Sequence, residues 1–274
     1  MKLLVMGAGY VGMALLKRLQ GHTHEIFITT TKEERVGILK QFGEHVLVLN
    51  RNEDEDLRQL INACDGMIVL VAPERSQSYE ETYLNLAKKI TSAIKNRSTP
   101  FYILYTSSTS VCEGQNDWVT EKMALDPGSE NAKILLETEH YYLNSGASTC
   151  VLRLGGIYGP KRELDDRARR LSGKEITGTG EEPTNHIHLE DIVEGIVFCL
   201  EHSLTGVFQL VNDEHTSRKK LYSGLCELLE IPSPIWNQDF QKENNRGYKV
   251  SNQKIKDAGF IFTHPALRLG TEVG

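Results

Sequence analysis

The chain has 274 residues, enough to bury a sizeable core, and it is 39% hydrophobic and 25% charged. Its formal charge of −6 is spread over both signs, so we expect no nucleic-acid partner, which would need clustered Lys and Arg. Five scattered cysteines form no metal-ligand spacing, and this predicts reduced thiols in the cytoplasm and no metal site.

An uncharged stretch near the start of the chain has the general character of a signal peptide or a membrane segment. It runs from Leu3 to Leu16, but Gly7, Gly9 and Gly12 interrupt it and Lys17 follows it. A membrane span would need about 20 apolar residues. We expect neither a signal nor a span, and no membrane partner.

Short apolar runs alternate with longer segments of helical period in the first half of the chain. This alternation predicts an α/β fold, with a doubly wound parallel sheet of about seven strands. The predicted strands are Lys2–Met6, Glu25–Thr30, His45–Leu49, Gly66–Val71, Phe101–Thr106, Thr149–Leu154 and Gly206–Val211.

Two of the intervening segments, 78–95 and 130–145, repeat apolar residues at three- and four-residue steps, which predicts amphipathic helices. Tyrosines at the edges of both stripes leave open a homodimer formed through these helices. A further helix is predicted at 189–202. Glycines, charges and prolines after Leu154 predict a small C-terminal α/β lobe. We therefore expect a dinucleotide-binding domain from 1–155 plus 186–211, and a smaller substrate lobe from 156–185 plus 212–274.

The first predicted strand leads directly into a glycine-rich turn of the form GxGxxG. Gly7 permits the tight turn, Gly9 lets the backbone approach a pyrophosphate, and Gly12 lets the helix pack close to the strand. The N–H groups at the start of the helix, around Tyr10 and Val11, then face the phosphates. The turn follows a strand, opens a helix and heads a βαβ series, and this context predicts a Rossmann-type dinucleotide site.

The end of the second predicted strand bears on the choice of cofactor. A site for NAD usually places Asp or Glu there, to bind the ribose 2′-hydroxyl. This chain has Thr30, Thr31 and Lys32 instead, which suit the 2′-phosphate of NADP. Glu33 and Glu34 follow closely, and a strand that ended later would favour NAD. We expect NADP, with NAD as the alternative.

Further along, the chain resembles the extended short-chain dehydrogenases of the NAD-dependent epimerase/dehydratase group. The resemblance covers most of the chain. It rests on the glycine turn and on four further segments: 70–73 (LVAP), 105–112 (YTSSTSVC), 152–160 (LRLGGIYGP) and 185–191 (NHIHLED).

The resemblance implies roles for particular residues. Ser108 would polarise a substrate carbonyl or alcohol, and Lys133 would hold the nicotinamide ribose and lower the pKa of a catalytic tyrosine. The residues implied to contact the cofactor beyond the glycine turn are Asn50 and Arg51 at the adenine, Val71, Ala72 and Pro73 along the ribose and phosphates, and Leu154, Gly155 and Ile157 at the nicotinamide.

The sequence departs from the family pattern at the catalytic tyrosine. The family motif is Tyr-x-x-x-Lys, but Ser129 stands four residues before Lys133. A serine hydroxyl is too short and too weakly acidic to replace a phenol. Other acids that could serve are Cys112, Glu113, Glu130 and Tyr158. This departure resembles the atypical members of the family, which bind cofactor with altered catalytic residues.

The sequence therefore leaves two functions open. The first is an NAD(P)-dependent oxidoreductase, epimerase or dehydratase that acts on a small polar or sugar-nucleotide-like substrate. The second is a catalytically weak or inactive NADP(H)-binding regulator. His186 and His188 lie on one face of an extended stretch, and with Asp191 at a helix start they predict a hydrogen-bonded junction rather than a metal site.

Overall fold

The computed structural model describes residues 1–49, 54–73, 77–95, 97–237 and 247–267. Within these residues the chain packs into two compact units. The first unit contains 1–108, 129–153 and 193–208, and the second contains 109–128, 154–192 and 209–274. This division differs from the predicted domains mainly because 109–128 and 186–192 belong to the second unit. Which part binds a dinucleotide and which a substrate stays a prediction.

A seven-stranded parallel sheet is the centre of the fold, and it confirms the predicted fold class. Its strands are β1 (Lys2–Met6), β2 (Glu25–Thr30), β3 (His45–Val48), β4 (Gly66–Val69), β5 (Tyr102–Ser108), β7 (Ser148–Leu154) and β11 (Gly206–Leu210). All seven were predicted from the alternating pattern, and β1 and β2 have the predicted ends. The other strands of the described residues lie outside this sheet.

The strand order across the sheet is β3-β2-β1-β4-β5-β7-β11. Strands β2 and β3 therefore extend the sheet on one side of β1. Strands β4, β5, β7 and β11, which come later in the chain, extend it on the other side. Because parallel strands connect through right-handed crossovers, this reversal opens a crevice at the carboxyl ends of β1 and β4. The register places Met6 opposite Val69 at that edge.

The helices of the first unit cover the faces of this sheet. They are α1 (Tyr10–Leu19), α2 (Val36–Leu39), α3 (Asp54–Ala63), α4 (Asn85–Ile94, after a π-helical turn at Glu80–Leu84), α5 (Glu130–Leu143) and α7 (Leu189–Glu201, whose first four residues belong to the second unit). The segments predicted at 78–95, 130–145 and 189–202 are helical, as expected. One hydrophobic core joins α3, α4 and α5 to β1, β4 and β5, and includes Ile61, Ile90 and Tyr142.

The second unit contains short elements that the sequence pattern did not predict. Three two-stranded parallel sheets pair β6 (Asp117–Val119) with β13 (Tyr248–Val250), β8 (Gly156–Tyr158) with β10 (His186–His188), and β9 (Glu175–Thr177) with β12 (Ile235–Asn237). The helices are α6 (Leu164–Leu171), α8 (Arg218–Leu228) and α9 (Gln253–Asp257). Helices α6 and α8 share a core of their own, which includes Leu164, Ala168, Leu221 and Leu225.

A buried ion pair in the first unit connects two strands and a helix. The side chains of Glu139 on α5 and Arg153 on β7 are 1% and 6% exposed. The arginine donates to both carboxylate oxygens, with Nη2 to Oε2 at 2.7 Å and Nε to Oε1 at 3.0 Å. Ser107 on β5 donates to Oε1 at 2.6 Å. The carboxylate is therefore shared among β5, β7 and α5.

We predict that Glu139→Gln destabilises the fold by about 3–5 kcal/mol, because removing one charge leaves the buried guanidinium uncompensated. Urea unfolding followed by circular dichroism measures the change. Glu137→Gln, on the same helix but exposed, is the matched control and should change stability by less than about 0.5 kcal/mol. Equal midpoints for the two variants would show that the ion pair does not hold the fold together.

None of the helices in the described part of the chain combines the length and the apolar character that a membrane crossing requires.

Candidate functional site

The glycine turn lies at the carboxyl end of β1, beside the point where the strand order reverses. Gly7 has a φ of +98°, in the region that favours glycine. A Cβ atom at Gly7 would lie 2.9 Å from the backbone carbonyl carbon of Leu70, at the end of β4. A Cβ atom at Gly12 would lie 2.1 Å from the carbonyl oxygen of Gly7. Both positions therefore require glycine on steric grounds.

At position 9, no contact within the described structure requires glycine. A Cβ atom there would meet no atom of the described structure within 4 Å, and its φ is negative. Gly9 is exposed and precedes α1, which it cannot cap because it has no side chain. By contrast, Ser129 caps α5 and Ser217 caps α8, each by accepting a backbone N–H. The start of α1 therefore presents backbone N–H groups, around Tyr10 and Val11, beside open space.

The other residues predicted to contact a cofactor from β2 and β4 lie at the same edge of the sheet. Strand β2 ends at Thr30, before Glu33 and Glu34, which form a separate 3₁₀ turn. The Thr30 hydroxyl accepts the backbone N–H of Lys32 at 3.1 Å, and Thr31 and Lys32 are exposed. After β4, the backbone nitrogen of Val71 would lie 3.0 Å from a Cβ at Gly7.

The remaining predicted residues are placed as follows. Ala72 is exposed and Pro73 is half-buried. In the second unit, Leu154 is buried and Ile157 is half-buried, on β8. Gly155 is held tightly, since a Cβ there would lie 2.8 Å from the carbonyl oxygen of Asn185. Asn50 and Arg51 lie outside the described residues.

Ser108, predicted to polarise the substrate, is the last residue of β5 and is half-buried. The hydroxyl of the nearby Thr106 donates to the Val69 carbonyl at 3.2 Å, which ties the end of β5 to the end of β4. Lys133 is half-exposed on the first turn of α5, and its Nζ lies 2.9 Å from Oε1 of Glu130. Ser129 accepts the backbone N–H of Ala132 at 3.4 Å, so its hydroxyl serves as the helix cap.

The four acids considered in place of a catalytic tyrosine differ in exposure. Cys112 is 0% exposed and Tyr158 is 3% exposed, so neither presents its functional group to a ligand in this conformation. Glu113 is half-buried, and the Glu130 side chain is 82% exposed. Burial therefore leaves the two carboxylates accessible and the thiol and the phenol inaccessible.

The His186–Asp191 stretch forms a hydrogen-bonded junction in the second unit. The Asp191 carboxylate accepts the backbone N–H groups of Thr263 and His264, at 2.7 and 3.0 Å. The His264 Nε2 atom lies 2.7 Å from the Glu190 carboxylate. Burial raises the pKa of Asp191, and the two backbone hydrogen bonds partly oppose that rise.

His188, Glu190 and His264 bring three potential ligand atoms within 4.8 Å of one another. However, the imidazole of His264 and the carboxylate of Glu190 contact each other directly, and the Nδ1 atom of His188 accepts the Glu190 backbone N–H at 3.3 Å. These atoms are thus engaged in the junction. His264 was not identified from the sequence, because no local pattern signals a partner more than 70 residues away.

Tyr248, on β13, is a second polar residue that sequence analysis did not identify. Its hydroxyl donates to the carbonyl oxygen of Thr109 at 3.0 Å. The Asn185 amide fixes the strand, because it donates to the Tyr248 carbonyl at 2.9 Å and accepts the Val250 N–H at 2.8 Å. The motif that begins at Asn185 could have pointed to a strand contact, but not to this tyrosine.

His186 is buried, and its Nδ1 atom contacts no hydrogen-bond partner among the described residues. Burial, aided by the charge of Arg167, lowers the pKa of His186 to about 4. Because the folded pKa is below the unfolded value, the neutral ring is compatible with the fold above about pH 6.5, and stability is lost as the pH falls from there through about 4.

We predict that His186→Gln reduces the loss of stability between about pH 6.5 and about pH 4 by up to about 3 kcal/mol. Urea midpoints measured across this range test the change. His202→Gln, at an exposed histidine, is the control and should leave the slope unaltered. A His186→Gln slope equal to that of the parent would contradict the assigned pKa.

Comparisons with known proteins find similarity over most of the chain. A family model described as NAD dependent epimerase/dehydratase family matches residues 3–210. Protein YeeZ of Escherichia coli (strain K12) is 25% identical over 272 residues, covering 96% of both chains.

Two solved structures share the fold. A mutant of UDP-glucuronic acid 4-epimerase from Bacillus cereus, in complex with a fluorinated UDP-glucuronic acid and NAD, has a TM-score of 0.77 at 20% identity and covers 94% of this chain and 92% of its own. A functionally unknown conserved protein from Silicibacter pomeroyi has a TM-score of 0.74 at 20% identity, covering 97% and 94%.

Proposed function

We propose that this chain, which belongs to the NAD dependent epimerase/dehydratase family, binds a nicotinamide dinucleotide and uses it in redox chemistry on a small polar, sugar-nucleotide-like substrate. The observation that carries the proposal is the contrast among the three glycines. Gly7 and Gly12 are required by packing, whereas Gly9 faces open space at the start of an uncapped helix.

The open space at Gly9 fits a pyrophosphate. A helix start offers backbone N–H donors and a partial positive charge, and Gly9 has no side chain with which to cap this one. Because glycine has no Cβ atom, phosphate oxygens can approach the backbone at this position. Gly7, Gly9, Tyr10, Val11 and Gly12 would hold the pyrophosphate, and the nicotinamide would supply or accept hydride when bound.

We further propose NADP as the preferred cofactor. The support is that β2 ends at Thr30, so that Thr31 and Lys32 follow the strand directly, before Glu33 and Glu34. An exposed ammonium at this position attracts a 2′-phosphate, whereas a carboxylate would repel it. NAD is the alternative, because the Bacillus cereus neighbour is bound to NAD.

Val71, Ala72 and Pro73 are proposed to line the ribose and phosphates, and Leu154, Gly155 and Ile157 the nicotinamide. The proposed substrate class takes its support from the UDP-sugar derivative in the Bacillus cereus neighbour. Ser108 is proposed to polarise the reacting oxygen, and Lys133 to hold the nicotinamide ribose, for which it would exchange its contact with Glu130.

A second candidate is a regulator that binds NADP(H) without efficient turnover. The observation that favours it is the position of Ser129, which we propose to stand where the family has its catalytic tyrosine. Its hydroxyl caps α5 and is too short to reach a substrate as a phenol would. The choice between the candidates depends on whether another residue supplies the proton.

We also propose a homodimer through the helices near 78–95 and 130–145, and a cytoplasmic location. A depression along these helices is lined by residues that include Lys88, Lys95 and Tyr141, and the Lys88 Nζ atom lies 5.4 Å from the centre of the Tyr141 ring. All five cysteines are unbonded and buried, which supports a reducing compartment.

We predict that Gly9→Val abolishes dinucleotide binding without unfolding the protein. The added methyl groups would fill the space that a pyrophosphate needs, and the Cβ that carries them would meet no atom of the described residues within 4 Å. Enhancement of NADPH fluorescence on titration measures binding, and the melting temperature measures folding.

Gly224→Val is the control, since it places the same side chain in open space on α8. It should bind NADPH as the parent does. Unchanged titration of Gly9→Val would exclude the glycine turn as the binding site.

We predict that NADPH binds more tightly than NADH by more than about tenfold, since each charge-assisted hydrogen bond contributes roughly 1.5–3 kcal/mol. Lys32→Asp should reverse the order. Lys40→Asp, which makes the same charge change at another exposed lysine, should retain it. Tighter binding of NADH by the parent would exclude the 2′-phosphate site.

A further inference from the structure

Ser108 is the last residue of β5, and it is also the last residue of the first unit before the chain enters the second. The strand ends at this residue, so the first unit holds it in place through the strand residues that precede it. A hydroxyl that polarises a reacting oxygen needs a defined orientation. The side chains of Thr106 and Ser107, directly before it on β5, are therefore of interest.

These two side chains tie the end of β5 to different elements. The Thr106 hydroxyl donates to the backbone carbonyl of Val69 at 3.2 Å, a contact to the neighbouring strand β4. The Ser107 hydroxyl donates to Oε1 of Glu139 at 2.6 Å, a contact to helix α5. Ser107 is 6% exposed and Glu139 is 1% exposed, so water does not compete for this bond. Ser107 is thus the residue that ties the end of β5 to α5.

The acceptor of the Ser107 hydrogen bond is itself fixed in direction. Arg153 on β7 donates to both oxygens of the Glu139 carboxylate, with Nη2 to Oε2 at 2.7 Å and Nε to Oε1 at 3.0 Å. A bidentate guanidinium contact holds a carboxylate in one plane, which adds geometric specificity to its energy. The Oε1 atom to which Ser107 donates therefore has a defined position, and all three residues belong to the first unit.

A polar trio at this place provides direction more than stability. An intact buried ion pair stabilises a fold little more than apolar residues of similar volume would. Hydrogen bonds, however, weaken steeply when they depart from linear geometry, so they fix orientation where apolar contacts do not. Lys133 lies six residues before Glu139 on α5, about 9 Å along the helix axis. The Ser107 bond therefore sets the end of β5, with Ser108, against the helix that carries Lys133.

We propose that Ser107 is a positioning residue, whose hydrogen bond to Glu139 orients Ser108 toward the reacting oxygen of the substrate. This inference rests on the redox function proposed above. Ser107 is buried and contacts no substrate, so it acts only through its neighbour. Without the bond to Glu139 the end of β5 gains freedom, and the Ser108 hydroxyl spends less time in the productive orientation.

The first test is Ser107→Ala, which removes the hydroxyl alone. We expect kcat for NADPH oxidation, across a panel of carbonyl compounds and 4-keto sugar nucleotides, to fall by about 10-fold to 10²-fold, because small displacements of a reacting group have effects of this size. The KM of the substrate should change little. The Kd of NADPH and the number of NADPH molecules bound per chain should equal those of the parent, which shows that the variant is fully folded in the assay.

Thr138→Val is the matched control. It removes a buried hydroxyl next to Glu139 on α5, one that donates to the Ile134 carbonyl of the same helix at 2.7 Å and makes no tie to β5. This variant should retain parent kcat.

A double-mutant cycle separates a positioning role from a structural one. If Ser107 acts through Ser108, then adding Ser107→Ala to Ser108→Ala should lower kcat no further, because the group that Ser107 orients is already absent. A general weakening of the fold would instead lower kcat by the same factor in both backgrounds.

Hydrogen exchange of the unliganded protein provides a readout independent of turnover. We expect the backbone amides at the end of β5 to exchange faster in Ser107→Ala than in the parent, because the tie to α5 is lost. Mass spectrometry of the peptide that covers β5 measures the rate. Thr138→Val should leave this rate unchanged.

Each other outcome overturns the inference in a distinguishable way. Parent-like kcat in Ser107→Ala or in Ser108→Ala, or unchanged exchange at the end of β5, would exclude the positioning role while the redox function stands. Equal losses of kcat in both backgrounds of the cycle, or fewer NADPH molecules bound per chain, would show a structural role. Tight NADPH binding by a parent that turns over no substrate would exclude both the positioning role and the enzymatic function, and would favour the regulator.

Discussion

The close approach of α1 to the ends of β1 and β4 is the constraint on which the rest of the site depends. It exists because positions 7 and 12 have no Cβ, and the contact distances of 2.1 and 2.9 Å calculated for added Cβ atoms show that no other residue fits. The helix start is thereby brought to the edge of the sheet where the strand order reverses. Every other group proposed to contact a dinucleotide from β2 or β4 is useful only because its strand ends at this same edge.

The start of α5 shows how local structure accounts for the residue at one position. A serine at 129 caps the helix, a contribution of about 1 kcal/mol that a tyrosine would forfeit. Further along the helix, Glu139 is committed to a buried ion pair that reaches β5 and β7. Helix α5, which carries Lys133, is therefore held by the cap of Ser129 before its first residue and by the ion pair of Glu139 further along.

The sequence predicted the large sheet well and the second unit poorly, for a physical reason. Buried parallel strands such as β1 and β2 are continuous apolar runs, which are visible without knowing their partners. Strands of three residues, such as β6 and β13, carry no periodicity, and their pairing joins segments about 130 residues apart. Tyr248 belongs to such a pairing, and His264 contacts Glu190 from 74 residues further along the chain. The glycine turn, Ser108 and Lys133 were identifiable because their signals are local in the chain.

The organisation of the second unit bears on whether the chain is an enzyme or a regulator. A protein that only binds a dinucleotide needs the carboxyl edge of the sheet and little else. This chain also fixes strand β13 by two hydrogen bonds of the Asn185 amide, and the Tyr248 hydroxyl donates to the carbonyl oxygen of Thr109 within the same unit. Burial, together with Cys112 and Glu113, raises the pKa of Tyr248, so the phenol stays uncharged in this unit at neutral pH. These contacts order the segment after β5 and strand β13 within the second unit, which is more polar organisation than the binding of a dinucleotide at the edge of the large sheet requires.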